Sequence, residues 1–427
     1  MPPRLVETLW GFNMKAVVGA FFCYLIFSFG LSNEYALGAT RKDVPLPAPA
    51  PVAQSATDIS KDVVDATIER LPTASDLGAW EYSRALFLMG ELSVYQRTHD
   101  PKYLTYAKAW ADSHIDAKGS IDRPIDALDF IMPGNVAISL YRETGDKKYK
   151  VAADRLAEIF KTYPRTADGG FWHAMNGERD HQLWLDGTFM ALPFLVRQGA
   201  LSGHQAEVDA EAVRQLLVYG LHTRDANGPL YFHAYDESGH ATWADPVTHQ
   251  ASVKWGRAIG WYCVALVDVL EAMPQSPATA EEKAQRQQLI AIVQKMASDL
   301  VAVQDPATGL WFQIMDKPKL KGNFLETSSS SMFTYFLDSA VKHGYIDASY
   351  QTAAQHGYQG VLSKVVTGAD GHLHIKDICE GTNVGDQAYY LERKVNTDDF
   401  HGLGAFLMMN EEVQYNRSMM DDVSAGR

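Results

Sequence analysis

The stretch HQLWLDGTFMALPF, residues 181–194, sets one carboxylate, Asp186, among Trp, Leu, Phe, Met and Pro. An ionised carboxylate in apolar surroundings is costly, so desolvation favours the protonated form and raises the pKa. A carboxylic acid that keeps its proton near neutral pH is what general acid catalysis requires. The bland reading of Asp186 is a helix N-cap, although HQLW already reads as helix ahead of it. A second acid, Asp129, precedes Pro133 in IDALDFIMPGN, and is open between a turn or cap residue and a partner for Asp186.

Imidazole and aromatic groups collect at similar junctions. His173 follows Trp172 in GGFWHAM, His233 stands in LYFHAYDE, and Trp255 and Trp261 flank Arg257 in KWGRAIGWY. An Arg beside aromatic faces can hold a carboxylate bidentately while the rings stack on a sugar. The competing reading closes Arg257 in a buried ion pair, puts both tryptophans in the core, and makes the two histidines members of satisfied aromatic clusters. Other chemistries lack their motifs. SSSS at 328–331 has no G-x-S-x-G elbow, H-E-x-x-H and glycine-rich phosphate loops are absent, and HLH at 372–374 is a weak metal signal. The sequence therefore predicts no metal and no cofactor.

Groups at junctions need rigid elements to aim them. Apolar periodicity predicts helices near 60–70, 79–97, 102–115, 130–142, 147–162, 182–198, 205–222, 254–272, 280–304, 327–343, 348–364 and 399–413. YQRTHDPKY at 95–103 and YRETGDKKY at 141–149 are copies offset by 46 residues, each the polar turn of a helical hairpin, with a fainter echo in KHGYIDASY at 342–350. Helices rich in Trp, Phe and small residues alternate with amphipathic ones, the pattern of an inner ring covered by an outer ring. Strand-like pieces (PLYFHAYD, GLWFQIM, GHLHIKDI) are short and lie between hairpins. The fold class predicted is all-α: one (α/α)6 barrel, a six-hairpin toroid with a few short strands in its loops. An irregular bundle or an open solenoid is the alternative.

With 427 residues, 46% of them hydrophobic, the chain can bury a large core. Its net charge of -14 and the lack of a basic helix face exclude nucleic acid and an anionic membrane surface as partners. Residues 1–38 read as a signal peptide: Lys15, an apolar run from Ala16 to about Ser32, then small residues at Ala36 and Gly38. An uncleaved anchor is the alternative, and only it would bring a stable membrane partner. A Pro/Ala-rich linker follows over 39–57, and 58–427 is expected to be one catalytic domain. Export to the periplasm or the medium, and a monomer, are the expectations. Cys263 and Cys379 are too few for a disulfide framework.

From about Ala79 to Val413 the motifs, in order and spacing, resemble glycoside hydrolase family 105, the unsaturated rhamnogalacturonyl hydrolases. AWEYSRAL, LDFIMPGN, RTADGGFWH, LWLDGTFMALPFL, the WADPVTHQ to DVLEAMP block, ETSSSSMF, CEGTNVGD and HGLGAFLM carry the likeness. It implies the (α/α)6 toroid and a partner molecule: an oligosaccharide ending in a 4,5-unsaturated galacturonate, as pectin lyases leave it. It further implies that Asp186 is the catalytic acid, with Asp129 the second acid holding sugar or water. Tyr82, His173, His233, Trp255, Arg257, Trp261, Thr327 and Ser328 match positions lining the sugar site, and Arg257 is the expected partner of an anionic sugar face. LDFIMPGN departs from the family's Asp-His-x-Asn-Pro-Gly, which puts the rhamnose in more doubt than the reaction. The rivals are an unsaturated glucuronyl hydrolase, a sugar-binding protein on the same toroid, and an (α/α) lyase or epimerase.

Overall fold

The computed structural model describes residues 57–421; the signal-peptide reading and nearly all of the linker lie outside them. Six helices are buried almost all round: Tyr82–Thr98, Gly134–Thr144, Asp186–Ser202, Gly256–Ala272, Thr327–Lys342 and Phe400–Tyr415. Each packs on the next, and the last packs on the first, so the inner ring closes. Six more helices cover it: Ile59–Arg70, Pro101–His114, Lys147–Ile159, Gln205–Thr223, Ala280–Val303 and Gln351–Leu362. This is an (α/α)6 barrel. The alternation in composition has its cause here, since every residue of Gly256–Ala272 is buried while Ala280–Val303 buries one stripe including Leu289, Val293, Met296 and Leu300. Among the described residues, no helix is long and apolar enough to cross a membrane.

Two kinds of turn join the rings. The repeated motif forms the inner-to-outer turn: a left-handed residue ends one helix (His99, φ 57°; Gly145, φ 69°), and an Asp caps the next, Asp100 accepting from Lys102 N and Asp146 from Lys148 N. The echo keeps the cap, with Asp347 accepting from Ser349 N. The outer-to-inner connection is a second repeat that the sequence reading missed. After five outer helices the chain makes the same closed turn, marked by Asp116 N to Ser120 O, Thr166 N to Gly170 O, Asp225 N to Leu230 O, Asp305 N to Leu310 O and Gly368 N to His372 O, all within 2.8–3.2 Å. DAKG, TADG, DANG and GADG are its written form, with one extra residue in DPATG, and Gly119 and Gly169 supply the positive φ it needs.

From these turns short extended segments run to the starts of the inner helices, where backbone hydrogen bonds tie them into a belt. Leu128 N donates to His173 O, His173 N to Gln182 O, Leu185 N to His233 O, His233 N to Val253 O, Gly256 N to Gln313 O, Glu326 N to Trp311 O and Thr327 N to Asp377 O. HQLW departs from the reading given above: Gln182–Trp184 is a strand, antiparallel to Ala234–Asp236, and the helix begins at Asp186. Leu128–Phe130 is likewise a turn of 3-10 helix, with Pro133 fixing the start of the helix at Gly134. In both places tertiary pairing overrides an apolar periodicity that extends past the helix.

Candidate active site

The belt fixes what stands next to Asp186. Register pairs Trp184 with Ala234, and the bond from Leu185 N to His233 O carries that pairing one residue further. His233 Nε2 consequently lies 3.0 Å from Asp186 Oδ2, and its Nδ1 lies 2.6 Å from the Tyr390 hydroxyl. A carboxylate only accepts, so Nε2 carries the hydrogen. Burial holds Tyr390 as a phenol, which can donate to Nδ1 and fix the tautomer. Asp186 is the first residue of its helix, where the free backbone N–H groups favour a negative charge.

The second acid has a different environment. Asp129 sits in the 3-10 turn beside His173 Nε2 at 3.7 Å, its side chain a fifth exposed and without a hydrogen bond among the described residues. His173 stacks on Trp184 at 4.4 Å between ring centroids, and Arg179 lies over the same indole at 4.4 Å. Burial pushes His173 down to about 3, so its ring is neutral.

The two carboxyl groups are driven apart, and not in the direction the apolar run predicts. Burial pushes Asp129 up to about 7, against the charge of Arg179 and with help from the charge of Asp186. Burial raises Asp186 too, but the His233 ring and its hydrogen bond, with His173 and the local backbone behind them, outweigh it and hold Asp186 below its ordinary value. The expectation that greasy neighbours keep Asp186 protonated is therefore overturned: the neighbours are present, but a paired imidazole and a helix start win. Asp129 is the acid that keeps its proton near pH 7.

Tyr82, at the start of its helix, reaches this cluster edge-on to Trp261 (6.2 Å) and His401 (5.8 Å). Other candidates are closed off. Trp261 has no exposed surface and is stacked on Phe189 at 4.6 Å, and Trp255 is covered by His233 and Tyr390, so no sugar can lie on either ring in this conformation. Arg257, 1% exposed, donates at 2.6 Å to both the Cys379 and Glu380 carbonyls. It clamps the loop after Ile378 instead of facing a substrate, and its buried partners are carbonyls, not the acid of an ion pair. Thr327 and Ser328 are buried at the start of their helix, bonded to Lys376 O and to the Glu326 carboxylate. Their task is to hold the belt.

Arg179, Tyr390 and His401 escaped the sequence reading. Tyr390 follows the quoted CEGTNVGD by four residues, and Arg179 lies between GGFWHAM and WLDG, so the signal was proximity to motifs and not a motif. The weak metal hint dissolves: His374 pairs with Asp370 (3.0 Å) and Asp398 (2.5 Å), and His372 with Glu69 (3.1 Å). Among the described residues, no cluster of three or more His, Cys, Asp or Glu could hold a metal ion. Cys263 and Cys379 are both free and buried.

The family model of glycosyl hydrolase family 88 matches residues 59–416. The chain belongs to glycosyl hydrolase family 88. Similarity to family 105 is equally direct: a Clostridium structure, the C. acetobutylicum ATCC 824 glycoside hydrolase from family 105, is 32% identical, with a TM-score of 0.77 over 83% of this chain and 99% of that one. The unsaturated rhamnogalacturonyl hydrolase YesR of Bacillus subtilis (strain 168) is 26% identical over 273 residues, 62% of this chain and 72% of that protein. The unsaturated glucuronyl hydrolase of Bacillus sp. GL1 shares the fold alone, at 13% identity and a TM-score of 0.61 over 86% of this chain and 96% of that one. This family 88/105 chain is thus a glycoside hydrolase, with Asp186, Asp129, His173 and His233 gathered at one end of its barrel.

Proposed function

We propose that this family 88/105 protein removes the 4,5-unsaturated galacturonyl residue from the non-reducing end of pectin (rhamnogalacturonan) lyase products, by adding water across the C4=C5 bond. The observation that carries the reading is the pair of acids with opposed pKa shifts, since hydration of an enol ether needs a proton donor and a water-activating base together. Asp129, neutral below about pH 7, gives its proton to C4. Asp186, anionic and aligned by His233, takes a proton from the water that adds at C5. The product is a hemiketal. Its C5–O5 bond breaks to leave a ketone at C5, and the hemiacetal freed at C1 expels the neighbouring sugar as an alcohol. One water is consumed, nothing is oxidised, and the proton that leaves Asp129 is matched by the one Asp186 gains.

The kinship with YesR, whose name gives rhamnogalacturonyl, supports a pectin-derived substrate. A sulfated glycosaminoglycan product would call for spare cations, but Lys254 is buried and paired to Asp225 at 2.6 Å. An exported protein would meet lyase products outside the cytoplasm, and we take residues 1–38 as the export signal. The test mixes the protein separately with lyase digests of rhamnogalacturonan, homogalacturonan, ulvan and chondroitin and follows the ultraviolet absorbance of the conjugated double bond. Decay in the rhamnogalacturonan digest is the expected outcome; decay only in another digest moves the substrate, and decay in none removes the reaction.

A further inference from the structure

The proposed substrate carries a carboxylate on C5, beside the atoms that react, and the site as described contains two acids and no cation facing it. Arg257 is the obvious candidate by sequence and is spent on two carbonyls. Lys254 is spent on Asp225. Arg123 donates to Trp80 O at 2.8 Å and lies 3.3 Å over Phe130. Arg179 differs from all three. It is half-buried, it stands over Trp184, and Asn383 Oδ1 takes one Nη2 hydrogen at 2.8 Å. A guanidinium has five N–H donors. The other four have no hydrogen-bond partner, and no carboxylate lies within ion-pair distance, among the described residues.

We propose that Arg179, carried by the turn at residues 177–180 and held over Trp184 by Asn383, binds the carboxylate of the unsaturated uronate and so selects an acidic sugar. The inference rests on the uronyl reading above. The placement suits the task. Trp184 immediately precedes Leu185 and Asp186, and the same indole stacks on His173, which neighbours Asp129. A carboxylate seated on Arg179 would thus be registered against both acids by one rigid ring. The planar fork gives two parallel N–H groups, which a lysine cannot offer. Stacking on Trp184 removes much of the rotamer freedom that a surface arginine would lose on binding.

The experiment compares wild type with Arg179→Ala, Arg179→Lys and Asn383→Ala on an unsaturated oligogalacturonide and on the same sugar with its terminal carboxylate methyl-esterified. Loss of a charge-assisted bidentate contact is expected to raise KM for the free acid by roughly 10- to 100-fold in Arg179→Ala, with kcat little changed and KM for the ester nearly unmoved. Arg179→Lys should recover part of the loss, and Asn383→Ala should show a smaller rise. The alkaline limb of the pH profile should also move upward in Arg179→Ala, because the cation opposing the rise of Asp129 is gone. Equal KM rises on acid and ester, or no rise, overturn the assignment. Calorimetric titration with the unsaturated galacturonate monosaccharide needs no turnover. If wild type cleaves no digest, binding that Arg179→Ala abolishes still supports the anchor, whereas equal binding, or none by wild type, overturns it. Thermal melting of each variant identifies any that fail to fold.

Discussion

The first turns and the last turns of the inner helices both hold buried acids, and their protons are held alike, but their surroundings differ. Where the inner helices begin, burial lifts Asp129 to about 7, the acid has no hydrogen bond, and a fifth of its side chain is open. Where they end, burial lifts Asp268 to about 7 and Glu271 to about 8. There the Tyr335 hydroxyl donates to Asp268 at 2.9 Å and the Ser418 hydroxyl to Glu271 at 2.7 Å. Arg197, reaching Ser139 (2.8 Å) and Met419 O (3.1 Å), draws the chain after the last helix across that end, and Met420 is fully buried. A raised pKa therefore reports burial at both ends. It becomes chemistry only where the acid has no partner, faces open space, and has a second acid driven the other way beside it.

The largest effect that could break this contrast is on turnover. Asp186→Asn and Asp129→Asn are each expected to cut kcat by roughly 10²- to 10⁴-fold, with the fold kept, while Asp268→Asn and Glu271→Gln leave kcat near wild type. Steady-state rates on the digest that wild type consumes measure all four. Comparable losses from both pairs would mean that the two ends are not functionally distinct.

Arg257 tests the boundary between the ends, since it sits among the site residues yet is as sealed as the far end. Arg257→Ala leaves two carbonyls of the 379–380 loop without donors, and a loss of about 2–4 kcal/mol in unfolding free energy is expected. Arg257→Lys should recover little, because one ammonium cannot span two carbonyls as the fork does. Denaturant titration decides it. A variant of wild-type stability whose KM alone rises would return Arg257 to the substrate.

The pH profile sharpens the division between the acids. Asp129 must carry its proton to act, so kcat/KM should fall about tenfold per pH unit above about 7. Asp186 must be anionic, and because its pKa lies below the ordinary carboxylate value the acidic limb should appear only in strongly acidic solution. An alkaline limb that survives Asp129→Asn would assign the proton to another group.

Much of the barrel was legible, for a physical reason. An inner helix buried on all sides and an outer helix buried on one stripe leave different compositions, so GWYCVALVDVL and EEKAQRQQLIAIVQKMASDLV identify their rings without any contact being known. The hairpin turns were legible because left-handed C-caps and Asp N-caps draw on few residue types. The second turn was overlooked because an insertion in DPATG and substitutions in TADG and GADG blur its period. At the site, residue types pointed to Asp186, Asp129, His173 and His233, which the structure brings together. What sequence could not supply was partnership. Arg257 looks the same on paper whether it meets a carbonyl or a carboxylate, and the pull of His233 on Asp186 depends on the pairing of Trp184 with Ala234, about 50 residues apart in the chain.

The smallest expected effect lies at the sealed end and concerns stability alone. Glu271 keeps its proton in the folded state up to about pH 8, whereas in the unfolded chain it releases it near the ordinary value of 4.5. Between those two values the folded state binds the extra proton, so raising the pH favours unfolding and wild type loses stability across that window. Glu271→Gln cannot ionise, and its amide can still accept from Ser418. The variant should therefore show a flatter dependence of melting temperature on pH from about 5 to 8 than wild type, a difference of a few degrees at the alkaline side, with activity unchanged. Asp268, close enough to raise Glu271 by its charge, is left in place, so part of the slope should remain. Parallel melting curves for variant and wild type across that range would mean that the far-end acid is already ionised, and the two ends would then differ in protonation as well as in access.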